Sequence, residues 1–305
     1  MNHLLSSRDI SKQEILKFFK KADKFLPIVL DKKKLKIAEG KILATLFYEP
    51  STRTRFSFET AMIRLGGAVI SNADMNATSS SKKGETLYDT AKMVSTYADI
   101  IAVRHPSAGS VEDFASGSSV PVINSGDGPG DHPTQGLLDL YTIHKNFGKI
   151  DGLTIAMVGD LKNSRVLHSQ CELLLNFKNL KFIFVAPKGL EMPEEITKML
   201  LKNKFAVSEM QDLKAAAPLV DVLSQTRIQK ERFGSEEEYK KYRGIYIVDS
   251  NLMKICKKNM ILMHPLPRVD EIDVDVDSDS RAKYFEQVSN GVAVRMAIIA
   301  KLLDL

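Results

Sequence analysis

A chain of 305 residues is long enough for two domains of roughly 150 residues, and at that size it buries about three quarters of its unfolded surface without disulfides or structural metal. Hydrophobic residues at 44% and charged residues at 27% exclude global disorder, two cysteines exclude a disulfide framework or a four-thiolate zinc site, and no apolar run approaches the roughly 18 residues of a membrane span. The net charge of +5 is small and scattered, which fits anionic small-molecule substrates rather than nucleic acid, and an N-terminus without an apolar h-region predicts a cytoplasmic protein.

In chain order, residues 42–48 are apolar and predict a buried strand. Residues 52–65 predict a helix stopped by Gly66 and Gly67. A short strand at 68–70, a polar loop at 72–83 and a helix at 85–97 follow. Residues 100–103 predict a strand ending at Arg104, and 120–123 a strand entering the Gly-rich stretch 125–131. Pro133 opens a helix predicted over 133–146. After a lull at 145–152 a second series begins. It has strands at 153–158, 182–185, 220–224 and 260–263, helices at 163–177 and 193–203, and a terminal helix at 285–303. This alternation predicts an α/β protein of two domains, each a parallel sheet flanked by helices.

Open α/β sheets bind ligands beyond the carboxyl ends of their strands. Three polar clusters stand at such ends. The first is Glu49-Pro50-Ser51-Thr52-Arg53-Thr54-Arg55. Ser51 can cap the following helix, whose N-terminus offers N–H groups to an anion, and Arg53 adds a bidentate fork. An ordinary cap followed by solvated arginines reads equally from the pattern. The second is Asp131-His132-Pro133-Thr134-Gln135-Gly136, where His132 and Gln135 open a helix and can polarise a carbonyl or hold an amide; a lone histidine is more often structural than catalytic. The third is His264-Pro265-Leu266-Pro267-Arg268. Its prolines predict an extended backbone with free carbonyls at Pro265 and Leu266, or simply a stiff connection.

Common nucleotide motifs are missing. There is no P-loop, and Gly126, Gly128 and Gly130 fail the dinucleotide pattern because Asp131 stands at its last position. The acidic run 270–280 places Asp275, Asp277 and Asp279 at calcium-loop spacing, with Glu286 at position 12. Ser280 replaces the required glycine, so a solvated acidic loop is expected. The basic stretch 32–36 reads as a solvated face.

Taken together, FYEPSTRTRFSFE, GDGPGDHPTQGLLDLY, TRIQKERF and HPLPR, in that order, are specific. The sequence resembles the catalytic chains of aspartate carbamoyltransferases, from about residue 4 to the terminal helix. The resemblance implies transfer of the carbamoyl group of carbamoyl phosphate to L-aspartate, an early step of pyrimidine synthesis, with no cofactor and no metal. It implies a carbamoyl phosphate-binding domain at 1–131 plus 286–305, an aspartate-binding domain at 132–285, and an active site in the interdomain cleft.

By the same resemblance, Ser51, Thr52, Arg53 and Thr54 form the phosphate cradle, and Arg104 serves both phosphate and carbonyl oxygen. Arg53, Thr54, Arg104 and His132 are the catalytic set, with His132 a donor to the carbonyl oxygen. Gln135 and the carbonyls of Pro265 and Leu266 face the carbamoyl nitrogen. Arg165, Arg227 and Gln229, with Leu266, hold aspartate. Ser79 and Lys83 reach a neighbouring subunit's site, where Lys83 also meets aspartate, which implies a homotrimer. Some family members add a zinc-bearing regulatory chain, and others work as bare trimers.

Two departures stand out. Pro129, Gly130 and Asp131 replace the Ser-Asn-Gln of many relatives, and Asp131 would favour a charged His132 if the two faced each other. Asn163 and Ser164 replace Tyr-Gly. The nearest competing activity is ornithine carbamoyl transfer, but Thr226-Arg227-Ile228-Gln229 suits a carboxylate and repels an ammonium. An inactive scaffold is the competing class, and it would be expected to have lost Arg53, Arg104 or His132, all of which are present.

Overall fold

Continuous apolar runs build two parallel sheets, each needing cover on both faces. The computed structural model describes residues 2–77 and 83–305. The chain divides into two compact units, Met1–Tyr141 with Val288–Leu305, and Thr142–Gln287.

In the first unit, β1 (Ile42–Phe47), β2 (Ala68–Asn72), β3 (Ile100–His105) and β4 (Val122–Asp127) form a sheet in the order β2-β1-β3-β4. The pairs are parallel throughout. β1 and β3 are almost wholly buried, whereas β2 lies at an edge and is largely exposed. Helix α1 (Lys12–Leu30) was not expected. A capping box of Ser11 and Glu14 opens it, and Ile15, Phe18, Phe19, Ala22, Phe25 and Leu26 form its buried face. Helix α2 (Thr52–Leu65) ends at Gly66, whose φ of +102° permits the left-handed cap. Helix α3 (Leu87–Val94) is shorter than predicted because the Thr86 side chain caps it two residues inside the expected start. Helix α4 (Ser110–Gly117) was not expected either. β4 runs on through Gly126 and Asp127, so the first glycine of the predicted loop belongs to a strand.

The second unit carries β5 (Thr154–Val158), β6 (Lys181–Val185), β7 (Ala206–Met210), β8 (Val222–Gln225) and β9 (Ile261–Met263) in the order β7-β6-β5-β8-β9, again parallel. β7 escaped prediction because, as a half-exposed edge, it carries little apolar signal. Its core gathers Val158, Val185, Leu223, Leu252, Leu262 and Tyr284.

Both strand orders reverse direction once, between β1 and β3 and between β5 and β8. Chain connections leave to opposite sides there, which opens a crevice at the carboxyl ends. Glu49–Arg55 follow β1, and Arg104 is the penultimate residue of β3; Gly159 and Asp160 follow β5, and Thr226–Gln229 follow β8. Sheet topology therefore selects one of the three polar clusters, Glu49–Arg55, together with the Thr226–Gln229 segment that the resemblance points to.

Candidate active site

At the first reversal, Arg104 is the penultimate residue of β3 and is 9% exposed. Its Nη2 lies 3.2 Å from Glu49 Oε2, and Nη1 donates to the Ser125 carbonyl at 3.5 Å. Glu49 fixes the guanidinium beside the start of α2. Thr54 is buried in the first turn of that helix, while Thr52 and Arg53 are exposed. Ser51 occupies the N-cap position but makes no side-chain capping bond, contrary to expectation. Its φ of −157° and ψ of 108° place it in extended backbone. First-turn N–H groups are thereby left for solvent or an anion. Arg55 is otherwise engaged, at 3.3 Å from Glu59 Oε1 and 3.1 Å from Ser71 Oγ.

The stretch 126–131 folds on Asp127. Its Oδ1 accepts the Asp131 N–H at 2.6 Å, and its Oδ2 accepts the Gly109 N–H at 3.0 Å. Gly128 is required there, since φ is +56° and a Cβ would lie 2.0 Å from the Pro106 carbonyl oxygen. Helix α5 (Pro133–Phe147) follows. His132 is buried just before it, with Nδ1 3.5 Å from Thr134 Oγ1. The Asp131 carboxylate accepts from Ser6 Oγ at 3.2 Å and from the Ser7 N–H and Oγ. It ties the N-terminal segment to the start of α5. The sequence could not show this, because its partners lie more than 120 residues away. Gln135 Nε2 donates to Asp139 Oδ1 at 2.9 Å. Lys83 is exposed in a turn, and Ser79 lies outside the described residues.

At the second reversal, Asp160 is fully buried after β5. It accepts from Asn163 N–H at 3.1 Å, from Asn163 Nδ2 at 3.0 and 3.1 Å, and from the Gln229 N–H at 3.4 Å. Burial pushes its carboxyl above the ordinary value, with those bonds acting in the opposite direction. Gln229 Nε2 donates to the Asn163 carbonyl at 3.0 Å. Asn163 thus links the strand ends that carry Arg227 and Gln229 to the start of helix α6 (Arg165–Leu174). Arg165 and Arg227 are both half-buried. Strand ends β5 and β8 approach closely because Gly159, at φ +116°, has no Cβ; one would lie 2.2 Å from the Thr226 carbonyl oxygen.

At the end of β9, two prolines do not produce the extended run expected. Leu266 takes φ +55°, and the Leu266–Pro267 peptide is cis. His264 organises this turn. Its Nδ1 accepts the Leu266 N–H at 2.8 Å, and its Nε2 lies 2.8 Å from Glu271 Oε1. Glu271 Oε2 in turn accepts the Val269 and Asp270 N–H groups at 3.1 and 3.2 Å. Both His264 and Glu271 are buried. Nothing in the local sequence around His264 signals this latch, because Glu271 reaches it only through the turn.

Replacing His264 with phenylalanine is expected to destabilise the fold by about 3 kcal/mol, because Glu271 is left a buried charge without its partner. Burial raises the Glu271 carboxyl, but the His264 bond and the backbone N–H groups outweigh it and hold the group below 4.5. The sign follows: this contribution is complete above about pH 4.5 and is lost as pH falls through the lower folded-state value. Denaturant titrations of both proteins at pH 7 and pH 3.5 measure it. An unchanged midpoint at pH 7 refutes the coupling.

The acidic run is not simply a solvated loop. Asp277 pairs with Arg268 and accepts from the Tyr284 hydroxyl, Asp279 pairs with Arg281 at 2.6 Å, and Asp275 accepts the Ser250 N–H at 3.2 Å. Among the described residues, no group of three or more His, Cys, Asp or Glu side chains is placed to hold a metal ion.

Residues 2–145 match the family described as aspartate/ornithine carbamoyltransferase, carbamoyl-P binding domain, and residues 151–302 match its Asp/Orn binding domain. The aspartate carbamoyltransferase catalytic subunit of Methanocaldococcus jannaschii is 51% identical over 304 residues, covering 100% of this chain and 98% of that one. A crystal structure of that subunit superposes with a TM-score of 0.93 at 50% identity, over 100% and 98% of the two chains. The Trypanosoma cruzi aspartate transcarbamoylase in complex with carbamoyl phosphate and aspartate superposes with a TM-score of 0.89 at 36% identity, over 98% and 94%. The chain belongs to the aspartate/ornithine carbamoyltransferase family and, within it, to the aspartate carbamoyltransferase catalytic chains.

Proposed function

We propose that this chain transfers the carbamoyl group of carbamoyl phosphate to the amine of L-aspartate, releasing N-carbamoyl-L-aspartate and phosphate in pyrimidine synthesis. The observation that carries the choice of aspartate is the end of β8. There Arg227 and Gln229 follow the strand, and Asp160 and Asn163 hold Gln229 beside the start of the helix opened by Arg165. Arginines at a reversal point fit two carboxylates. An ornithine ammonium in the same place would meet like charge.

The first unit, with the last helix, is assigned to carbamoyl phosphate. The uncapped start of α2 with Ser51, Thr52, Arg53 and Thr54 takes the phosphate, and Arg104 lies between the phosphate and the carbonyl oxygen. The second unit is assigned to aspartate through Arg165, Arg227, Gln229 and Leu266. As the aspartate amine attacks, negative charge grows on the carbonyl oxygen. Fixed donors at Thr54, Arg104 and His132 stabilise that charge more than the ground-state carbonyl. Gln135, Pro265 and Leu266 offer oxygens to the carbamoyl nitrogen. Phosphate then departs as an anion toward arginines and a helix N-terminus. No covalent intermediate on the protein is needed, and positioning two small anions contributes up to about 7–11 kcal/mol.

A homotrimer is proposed in which Ser79 and Lys83 complete a neighbour's site. Phe56, Ile63 and Ile70 support self-association: they leave large apolar side chains exposed on α2 and the edge strand β2. The relatives' name, catalytic subunit, supports a further regulatory chain. A cytoplasmic location is part of the same reading; among the described residues no helix is long and apolar enough to cross a membrane.

Replacing Arg227 with alanine tests the assignment of the second unit. The KM for aspartate is expected to rise by about 10²-fold, the loss of one charge-assisted carboxylate bond. The KM for carbamoyl phosphate is expected to change less than threefold. Steady-state titration of each substrate measures both, and equal weakening refutes the role.

A further inference from the structure

Gln135 and Asp139 are one helical turn apart on α5, so the backbone itself brings their side chains together. Gln135 Nε2 donates to Asp139 Oδ1 at 2.9 Å. Asp139 is only 3% exposed, and a carboxylate that deep needs a cation to balance it. Arg295, on the last helix, is a buried cation whose charge interacts with that of Asp139. The Arg295 Nη1 donates to Ser57 Oγ at 3.0 Å, and its guanidinium lies 5.0 Å from the centre of the Phe58 ring. Burial lowers the Arg295 guanidinium to about 10 while the Asp139 charge pulls it up, so at neutral pH it remains a cation.

An ionised carboxylate only accepts hydrogen bonds, and a primary amide has one donating end and one accepting end. Asp139 therefore captures the amide nitrogen of Gln135 and leaves the amide oxygen to face a ligand. We propose that Asp139, balanced by Arg295, is a positioning residue that makes Gln135 present an acceptor, and so selects an acyl phosphate bearing an amino group over one bearing a methyl group. The proposal rests on the reading of Gln135 as the partner of the carbamoyl nitrogen. Replacing Asp139 with asparagine inverts the arrangement. An asparagine turns its oxygen toward Arg295 and its nitrogen toward Gln135, which then rotates and offers a second donor to the carbamoyl amino group.

The test is calorimetric titration of the whole protein with carbamoyl phosphate and with acetyl phosphate, which carries a methyl in place of the amino group. Asp139→Asn is expected to weaken carbamoyl phosphate about tenfold, the loss of one buried hydrogen bond, and to leave acetyl phosphate within about twofold. A thermal melt checks folding. Should Asp139→Asn not fold, Asp139→Ala combined with Arg295→Met removes both buried charges together and is expected to give the same selective loss. Gln135→Ala is expected to match it, and Asp139→Asn added to Gln135→Ala is expected to lose nothing more. If Gln135→Ala weakens carbamoyl phosphate selectively and the Asp139 variants weaken both ligands equally or neither, the Asp139 proposal is overturned and the Gln135 reading stands. If Gln135→Ala shows no selective loss, the Gln135 reading falls and the proposal with it.

Discussion

Replacing Arg53 with alanine is expected to lower the turnover of carbamoyl transfer by about 10²–10³-fold, or ~2.7–4 kcal/mol of transition-state stabilisation. The position of Arg53 sets this effect. It is exposed in the first turn of α2, at a helix start that Ser51 does not cap, and beside the strand end that carries Arg104. The neighbouring Arg55 is held by Glu59 and Ser71, so it is not placed to substitute. A guanidinium fork gains most when its partner gains charge, and the phosphate does so as it leaves. Turnover therefore falls more than carbamoyl phosphate binding. Steady-state kinetics at saturating substrates separate the two, and near-normal turnover rules out the cradle.

The second large effect is a gain. Lys83→Ala and Arg53→Ala chains are each expected to be nearly inactive alone. Mixed and allowed to exchange subunits, they are expected to recover activity on the order of 10²-fold above either parent. In a ring of three with sites shared between neighbours, every mixed trimer holds one site with an intact Arg53 from one chain and an intact Lys83 from the next. An equal mixture then reaches roughly a quarter of wild-type activity. Lys83 lies exposed in a turn, consistent with service outside its own unit. Mass spectrometry verifies exchange. Hybrids no more active than their parents, with exchange verified, would sink the shared site.

Much of the fold was legible because its signals are local. The strands β1 and β3 are apolar at nearly every position, which only a strand covered on both faces requires. The stop of α2 at Gly66 was readable from the one residue type that accepts φ +102° cheaply, whereas the Ser51 side-chain cap expected at its start does not form. Helix α1 carries a regular apolar stripe set among lysines, so its signal is local although the expected elements did not include it. β7 had no comparable signal. At a sheet edge, half its side chains face solvent, and it was recognised only by its pairing with β6.

For the site, the run of hydroxyls and arginines after β1 was read from sequence as an anion-binding helix start, since anions need cations and N–H groups at strand ends, whereas Arg104, His132, Gln135, Arg227 and Gln229 were assigned by the family resemblance. Partners were decided only by tertiary structure. Asp131 sits beside His132 in the chain yet binds Ser6 and Ser7, His264 latches Leu266 and Glu271 around a turn, and the Asp139 beside Gln135 is balanced by Arg295 from the last helix. The physical reason is that a side chain's ionisation and direction depend on what burial places within a few ångströms of it, and in a parallel α/β sheet those neighbours come from distant parts of the chain.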